Sequence, residues 1–400
     1  MSDKKCILAY TALYVAPNGN VQPCCISKPF KSNPKFNQFS SIEEIYNSEP
    51  FKNLRKQMDD GIEPEECDYC FKKGHKLMTN WNKNWEAKWK EDLYNDDYSI
   101  NSLQYLDIRF SNLCNLKCRM CSVGLSSSWH DDIVELTGNK NIPKHINIGE
   151  DAVYKFTPND LKNIKHLYFA GGEPFITDEF FSFIEMFDVE VARNIDVYIN
   201  TNLSTLFYKK EFILDKLKKF RKITIGASCD GYGKIGEYQR TNFSHNKFFS
   251  NFKNLIEYSK SYTNFKIEVE YTITIINVFH IFDFIDYMKS NFKLSENDIH
   301  FHYAITPYYY SVIYWGDDFI NDVKNYLKLN SHYYRTNVNK MSKSIVSFED
   351  FLNVPFINSF NEKKINFKEY IYKMDIMRNT NYKEVCPWIE DFFTYTKALL

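Results

Sequence analysis

The sequence lacks an excess of charge of either sign. Its 400 residues carry 50 Lys+Arg against 51 Asp+Glu, so no general basic surface is present and the balance speaks against a nucleic-acid partner. It lacks a long apolar run as well. The best stretch, Ile273 to Met288, is interrupted by Asn277, His280, Asp283 and Asp286, short of the ~20 apolar residues a membrane-spanning helix needs. Internal repeats and low-complexity tracts are missing too. The N-terminus has the outline of a signal peptide, with Lys4 and Lys5 before an apolar run from Cys6 to Ala16. Pro17-Asn18-Gly19-Asn20 follows, however, and Asn-Gly between two apolar runs signals a hairpin. The expectation is a cytoplasmic protein with no membrane partner. Tyr (29) and Phe (34) are abundant, but they spread along the whole chain and read as composition, not as one aromatic surface.

What the sequence does have is cysteine. There are ten: Cys6, Cys24, Cys25, Cys67, Cys70, Cys114, Cys118, Cys121, Cys229 and Cys386. In a small secreted chain such spacings would suggest disulfides. Here the chain is long enough for a real core and has no convincing export signal, so metal ligation is the better reading.

Four regions follow from the pattern. Residues 1–85 form a cysteine-bearing unit that opens with the hairpin around Asn18-Gly19. A helix follows, marked by a capping box from Ser41 to Glu44, and runs towards Met58 before Gly61 and Pro64 end it. The charged, Trp-rich stretch from Trp81 to Tyr98 reads as a helix, giving a linker over 86–102. From 103 to 307, apolar runs alternate with helical stretches. The strand candidates are Leu103–Phe110, His166–Ala170, Asp196–Asn200, Lys222–Ser228, Phe265–Thr274 and Ile299–Ile305. Helix candidates between them are Asp178–Phe187, Lys209–Phe220, Phe248–Tyr262 and Phe279–Ser290. Such alternation means βα units and a parallel sheet, curled by right-handed crossovers into a partial barrel. Residues 308–400 lose the rhythm and read as mostly helical. The fold class expected is α/β: a partial (β/α)6 TIM-like barrel with an N-terminal cysteine-rich module and a mostly helical C-terminal region.

Cys114-Asn-Leu-Lys-Cys118-Arg-Met-Cys121 directly follows the first barrel strand. Three thiolates so close can wrap one face of an iron–sulfur cluster and leave one iron open. The end of a strand is also where barrel enzymes place their chemistry. The alternative is a structural zinc knuckle, with His130 as the nearest fourth ligand.

The Cys-x3-Cys-x2-Cys triplet resembles the signature of the radical S-adenosylmethionine (SAM) superfamily. The resemblance implies that Cys114, Cys118 and Cys121 hold a 4Fe-4S cluster, that the open iron chelates SAM, and that SAM is cleaved to a 5′-deoxyadenosyl radical. Met120 stands where the family often has an aromatic residue. Gly171-Gly172-Glu173-Pro174 after the second strand resembles the Gly-Gly-Glu-Pro motif that holds the SAM amino group. Asn202 after the third strand, Ser228 and Asp230 after the fourth, and Arg240 stand where the family contacts the ribose, methionine and carboxylate parts of SAM. Alternation places Ser228 and Asp230 on one face and turns Cys229 towards the helices, as a buried inert thiol.

Cys6, Cys24, Cys67 and Cys70 can be drawn together into a second, closed site, either zinc or iron–sulfur. Their arrangement, Cys-x12-Gly-x4-Cys followed by a capped helix and Cys-x2-Cys, is similar to the auxiliary-cluster domains called SPASM and twitch. Four cysteines fit the shorter twitch form, with Cys24 preferred to Cys25. Those domains normally follow the barrel, whereas here the module precedes it. The resemblance implies an oxidoreductase or modifying enzyme acting on a peptide or small polar molecule. It also implies an auxiliary iron–sulfur cluster for electron transfer and a reductant such as flavodoxin or ferredoxin. An RNA-modifying radical SAM enzyme and a non-catalytic zinc-stapled binding protein are the alternatives.

Overall fold

The computed structural model describes residues 5–72, 82, 94–149, 151–337, 348, 351–353 and 367–390. Strands β1 (Ala12–Val15) and β2 (Val21–Gln22) flank the Asn18-Gly19 turn, where Gly19 takes φ +79°. Glycine bears that left-handed conformation at no steric cost. The six expected barrel strands all form: β3 (Tyr105–Ile108), then, after the short β4 (Lys117–Cys118), β5 (His166–Phe169) and β6 (Asp196–Thr201). A hairpin of β7 (Phe207–Tyr208) and β8 (Glu211–Phe212) separates these from β9 (Lys222–Ser228). The two-residue β10 (Arg240–Thr241) precedes β11 (Phe265–Ile273) and β12 (Ile299–Tyr303).

One eight-stranded sheet runs in the order β12-β11-β9-β6-β5-β3-β1-β2. Every pairing in it is parallel except β1 with β2. The fold is therefore mixed α/β with a mostly parallel central sheet, as a partial barrel requires. The N-terminal strand β1 lies alongside β3, with Tyr14 opposite Asp107, so the cysteine-bearing segment shares the barrel's sheet.

Several expected helices change shape for identifiable reasons. The helix from Ser41 to Met58 is two helices, Ile42–Tyr46 and Glu49–Asp59. Pro50 sits in the first turn of the second, because proline removes a hydrogen bond and clashes in a helix interior. Ser41 caps the first as expected, its Oγ accepting from Glu44 N at 3.2 Å. The helix expected from Lys209 is only Ile213–Leu217, since the β7–β8 hairpin takes Lys209 and Lys210 at positive φ. The linker helix over 86–102 falls partly outside the described residues. Residues 94–102 correct it: Tyr94 bridges to Ile100 around a turn that Asp97 closes by accepting from Ser99 N and Oγ.

Much of the phenylalanine lies in the core. Phe169 touches Phe180 and Phe183 edge-on, and Phe183 continues to Phe187. Fully buried Arg55 ties the N-terminal unit together, donating to the carbonyls of Ala9 (2.9 Å), Tyr98 (2.7 Å) and Tyr46. Helices Asp317–Asn337 and Phe367–Arg378 follow the last strand. Among the described residues no helix is long and apolar enough to cross a membrane.

Candidate functional site

The cysteine triplet lies in the loop after β3, and the end of β5 builds its floor. Gly172 N donates to Ser111 O (3.1 Å) and Glu173 N to Leu113 O (2.7 Å), so the two loops run side by side. This contact requires glycine: a Cβ on Gly172 would stand 2.1 Å from Leu113 O. Gly171 adopts φ +108° to make the turn. Ser128 Oγ donates to Cys114 O (2.7 Å), and Trp129 Nε1 to Cys118 O (2.8 Å). Cys118 lies in β4, paired antiparallel with β10 so that Arg240 stands directly opposite.

A cavity of about 340 Å³ opens above these strand ends. Cys114, Cys118, Cys121, Met120, Gly171, Gly172, Glu173, Asn202, Ser228 and Arg240 all line it. The structure thus brings together most of the residues the sequence singled out. Two stand apart. Pro174 lines a small neighbouring void and opens a 3₁₀ turn. Asp230 is fully buried beneath the cavity, accepting from Arg240 Nε (2.7 Å) and Thr272 N (2.7 Å), so it acts on the cavity through Arg240.

Glu173 is 1% exposed and already engaged. Its carboxylate accepts from Phe175 N (3.0 Å), Thr201 Oγ1 (2.7 Å) and Asn202 N (2.6 Å), knitting the end of β5 to that of β6. Burial pushes its carboxyl up to about 7 against those hydrogen bonds. Asn202 Nδ2 donates to Asn115 Oδ1 (2.9 Å) and lies 3.8 Å from Cys114 Sγ. Cys229 is buried on the other face, its thiol donating to Gly231 O (3.1 Å), as alternation required.

Burial raises all three thiols, Cys114 to about 12 with Cys118 and Glu173 adding to it. Buried thiols of this kind become good thiolate ligands only when a cation compensates them, which fits a metal cluster. His130 does not complete a zinc site, since its ring contacts Asp131 Oδ1 (2.9 Å) and Ile142 O (3.2 Å). Among the described residues, no three cysteine sulfurs converge within 4.8 Å of one another. Three thiolates beside one cavity suit an iron–sulfur cluster by the softness of their donors.

In the N-terminal unit, Cys6 precedes the helix Ile7–Thr11, Cys24 follows β2, and Cys67 and Cys70 lie on the turn and helix over 65–72. Lys28 joins the two halves through its N–H to Glu66 O (2.9 Å) and its ammonium to Asp68 (2.8 Å). Burial comes first in raising each of these thiols, and the charges of the other cysteines add to it in Cys6, Cys67 and Cys70. Cys25 is exposed at the surface, and Asp107 raises its thiol while Arg109 opposes the rise. Cys386 is buried near Arg119 and Asp375.

Sequence reasoning missed Arg109 and Tyr168, which also line the cavity. The signal was present: Asp107 and Arg109 alternate at the end of β3, and Arg109 Nε lies 3.4 Å from Asp107 Oδ1.

Residues 6–71 match the SPASM family model, described as an iron-sulfur cluster-binding domain. No curated protein matches the chain. Among solved structures it resembles "Native anSMEcpe with bound AdoMet" at 21% identity and a TM-score of 0.38, over 57% of this chain and 60% of that one. It also resembles "Crystal structure of Streptococcus suis SuiB bound to S-adenosylmethionine" at 14% identity and a TM-score of 0.37, over 72% and 60%. The chain therefore spans about 60% of the length of these relatives. The SPASM match takes in Cys6, Cys24, Cys25, Cys67 and Cys70 of the N-terminal unit, and Cys114, Cys118 and Cys121 at the cavity lie outside it.

Proposed function

We propose that the chain binds SAM in the cavity above β3, β5, β6 and β9 and abstracts hydrogen from a peptide or small polar substrate. When bound and reduced, the cluster and SAM supply a 5′-deoxyadenosyl radical. The observation that carries this reading is the set of three cysteines lining one cavity together with Glu173, Asn202, Ser228 and Arg240.

The chain's own residues divide the work. Cys114, Cys118 and Cys121 hold the barrel cluster. Gly171 and Gly172 let the strand end approach it, and Glu173 offers a carboxylate to an ammonium. Asp230 orients Arg240 towards a carboxylate. The walls of the barrel exclude water from the reacting atoms. Cys6, Cys24, Cys67 and Cys70 hold a closed auxiliary cluster, whose role is electron transfer and not substrate ligation, since four thiolates leave no iron open. The working layout is an auxiliary module over 1–85, a linker over 86–102, the barrel over 103–307 and a C-terminal region over 308–400. A cytoplasmic setting with flavodoxin or ferredoxin as reductant completes the reading.

The test is anaerobic reconstitution followed by reduction. The protein should release 5′-deoxyadenosine from SAM, and Cys118→Ala should abolish the release. The double variant Cys67→Ala, Cys70→Ala should lose about half the iron and keep SAM cleavage. Iron-loaded wild-type protein that leaves SAM untouched under strong reductant would refute the reading.

A further inference from the structure

Inside the barrel, one layer below the cavity, lies a second set of metal-ligating side chains that the proposed reaction does not use. Glu268 and Glu270 alternate on β11 and so share a face. They are 5% and 7% exposed. On the neighbouring strand β12, His300 stands opposite Glu270 and His302 opposite Thr272. One carboxylate oxygen from each glutamate and one ring nitrogen of His300 lie within 4.8 Å of one another. The layer borders the cavity, because Glu270 is also opposite Ser228, which lines it.

Three features of the cluster suit a cation. His300 Nε2 pairs with Glu268 Oε1 at 3.3 Å, and Tyr198 Oη donates to both glutamates, so the donor atoms are already gathered. Next, Asn200 Oδ1 on β6 has no hydrogen-bond partner and lies at the border with the cavity that Asn200 also lines. A Cβ on the intervening Gly226 would stand 2.4 Å from that oxygen and 3.0 Å from Glu270 Cγ, so glycine keeps the space free. Finally, the cluster is reachable: the side chains of His300 and His302 are 38% and 61% exposed. Lys266, which pairs with Glu268, is 46% exposed and has a long stem that can swing clear.

The geometry points to a mononuclear divalent-cation site formed by Glu268, Glu270 and His300, with His302 at its open side. Carboxylate oxygen and imidazole nitrogen suit first-row cations such as Mn²⁺, Fe²⁺ or Zn²⁺. Positions not filled by the protein are open to water or to an anionic group of a molecule in the barrel. The inference goes beyond the proposed SAM reaction and does not depend on it.

Mn²⁺ is the probe, because carboxylate and imidazole accept it while thiolate sites prefer softer ions. The iron-loaded full-length protein is titrated and free Mn²⁺ is read by EPR. One saturable Mn²⁺ per chain is expected, lost in Glu268→Gln, Glu270→Gln. His300→Gln alters only a partly exposed side chain and should weaken binding roughly tenfold or more. The absence of saturable Mn²⁺ in the wild type, or equal binding in wild type and His300→Gln, would overturn the site. SAM cleavage is not part of the readout, so its failure leaves this result standing.

Discussion

Arg240 stands opposite Cys118 across the β4–β10 pair, with Nη1 3.9 Å from its sulfur and Nε 2.7 Å from Asp230 Oδ2. One guanidinium thus joins Cys118 to the carboxylate of Asp230, which follows β9. Burial raises the Cys118 thiol, and Arg240 is the first group to oppose that rise. The same contact puts a cation at the cavity wall without leaving it unpaired.

Asp230→Ala should therefore be costly in itself. Asp230 is fully buried and Arg240 is 9% exposed, and breaking such a pair costs about 3–5 kcal/mol because one charge stays buried alone. Adding Arg240→Met should return part of that loss. A double-mutant cycle from anaerobic urea denaturation should give a coupling of about 1 kcal/mol or more. Additive losses would mean that the pair contributes packing only.

Gly172→Ala tests the contact between the two loops. The new Cβ would meet backbone, Leu113 O at 2.1 Å, so the segment leading into Cys114 must move. Iron at the barrel site should fall while iron in the N-terminal unit stays. Iron analysis in the Cys67→Ala, Cys70→Ala background isolates the barrel site. Full occupancy there would show that the loop absorbs the shift.

Glu173 predicts a pH dependence with a defined sign. Its carboxyl is raised from 4.5 to about 7, chiefly by burial. Between those values the folded protein holds a proton that the unfolded chain has lost. Its contribution is therefore fully present below about 4.5 and is lost as pH rises through 7. Glu173→Gln should flatten that slope in melting curves taken without SAM. It should also cost about 1–3 kcal/mol, because Asn202 N loses its acceptor. SAM should raise the melting temperature of the wild type more than that of the variant. Equal pH slopes in the two proteins would remove Glu173 as the titrating group.

Local patterns were readable. The six barrel strands appear where apolar alternation put them, since period two fixes which face is buried. The cysteine triplet, the glycine pair and the Asn18-Gly19 turn are short-range signals of the same kind. Long-range pairings were not readable. Nothing near Ala12 announces that β1 lies beside β3, some ninety residues on. Asp230 was placed with the SAM contacts, but its partner Arg240 comes close only because the chain returns in β10. Glu173 carried a motif, yet its three protein hydrogen bonds depend on how β6 ends. The C-terminal quarter offered no motif, and its described contacts with the cysteine loop run through Arg119 and Arg378, a pairing that no local spacing announces.

Those contacts make the last prediction. The helix Phe367–Arg378 holds the cysteine loop on both sides of Cys118. Arg119 is fully buried and donates Nη2 to Asp375 Oδ1 (2.6 Å) and Nε to Tyr238 O (3.0 Å). Arg378 donates Nη1 to Lys117 O (2.9 Å) and Nε to Asp132 (2.7 Å). Asp375→Ala leaves Arg119 without its counter-charge, at a cost of about 3–5 kcal/mol. It also frees Thr380 Oγ1 and Tyr382 N, both of which donate to that carboxylate. Asp375→Asn keeps an acceptor for one of them and should recover part of the loss. If the helix steadies the loop, a chelator should strip iron from the barrel site of Asp375→Ala faster than from wild type. The N-terminal unit should release iron at an unchanged rate. Loss of stability with normal iron retention at the barrel site would confine the helix to packing.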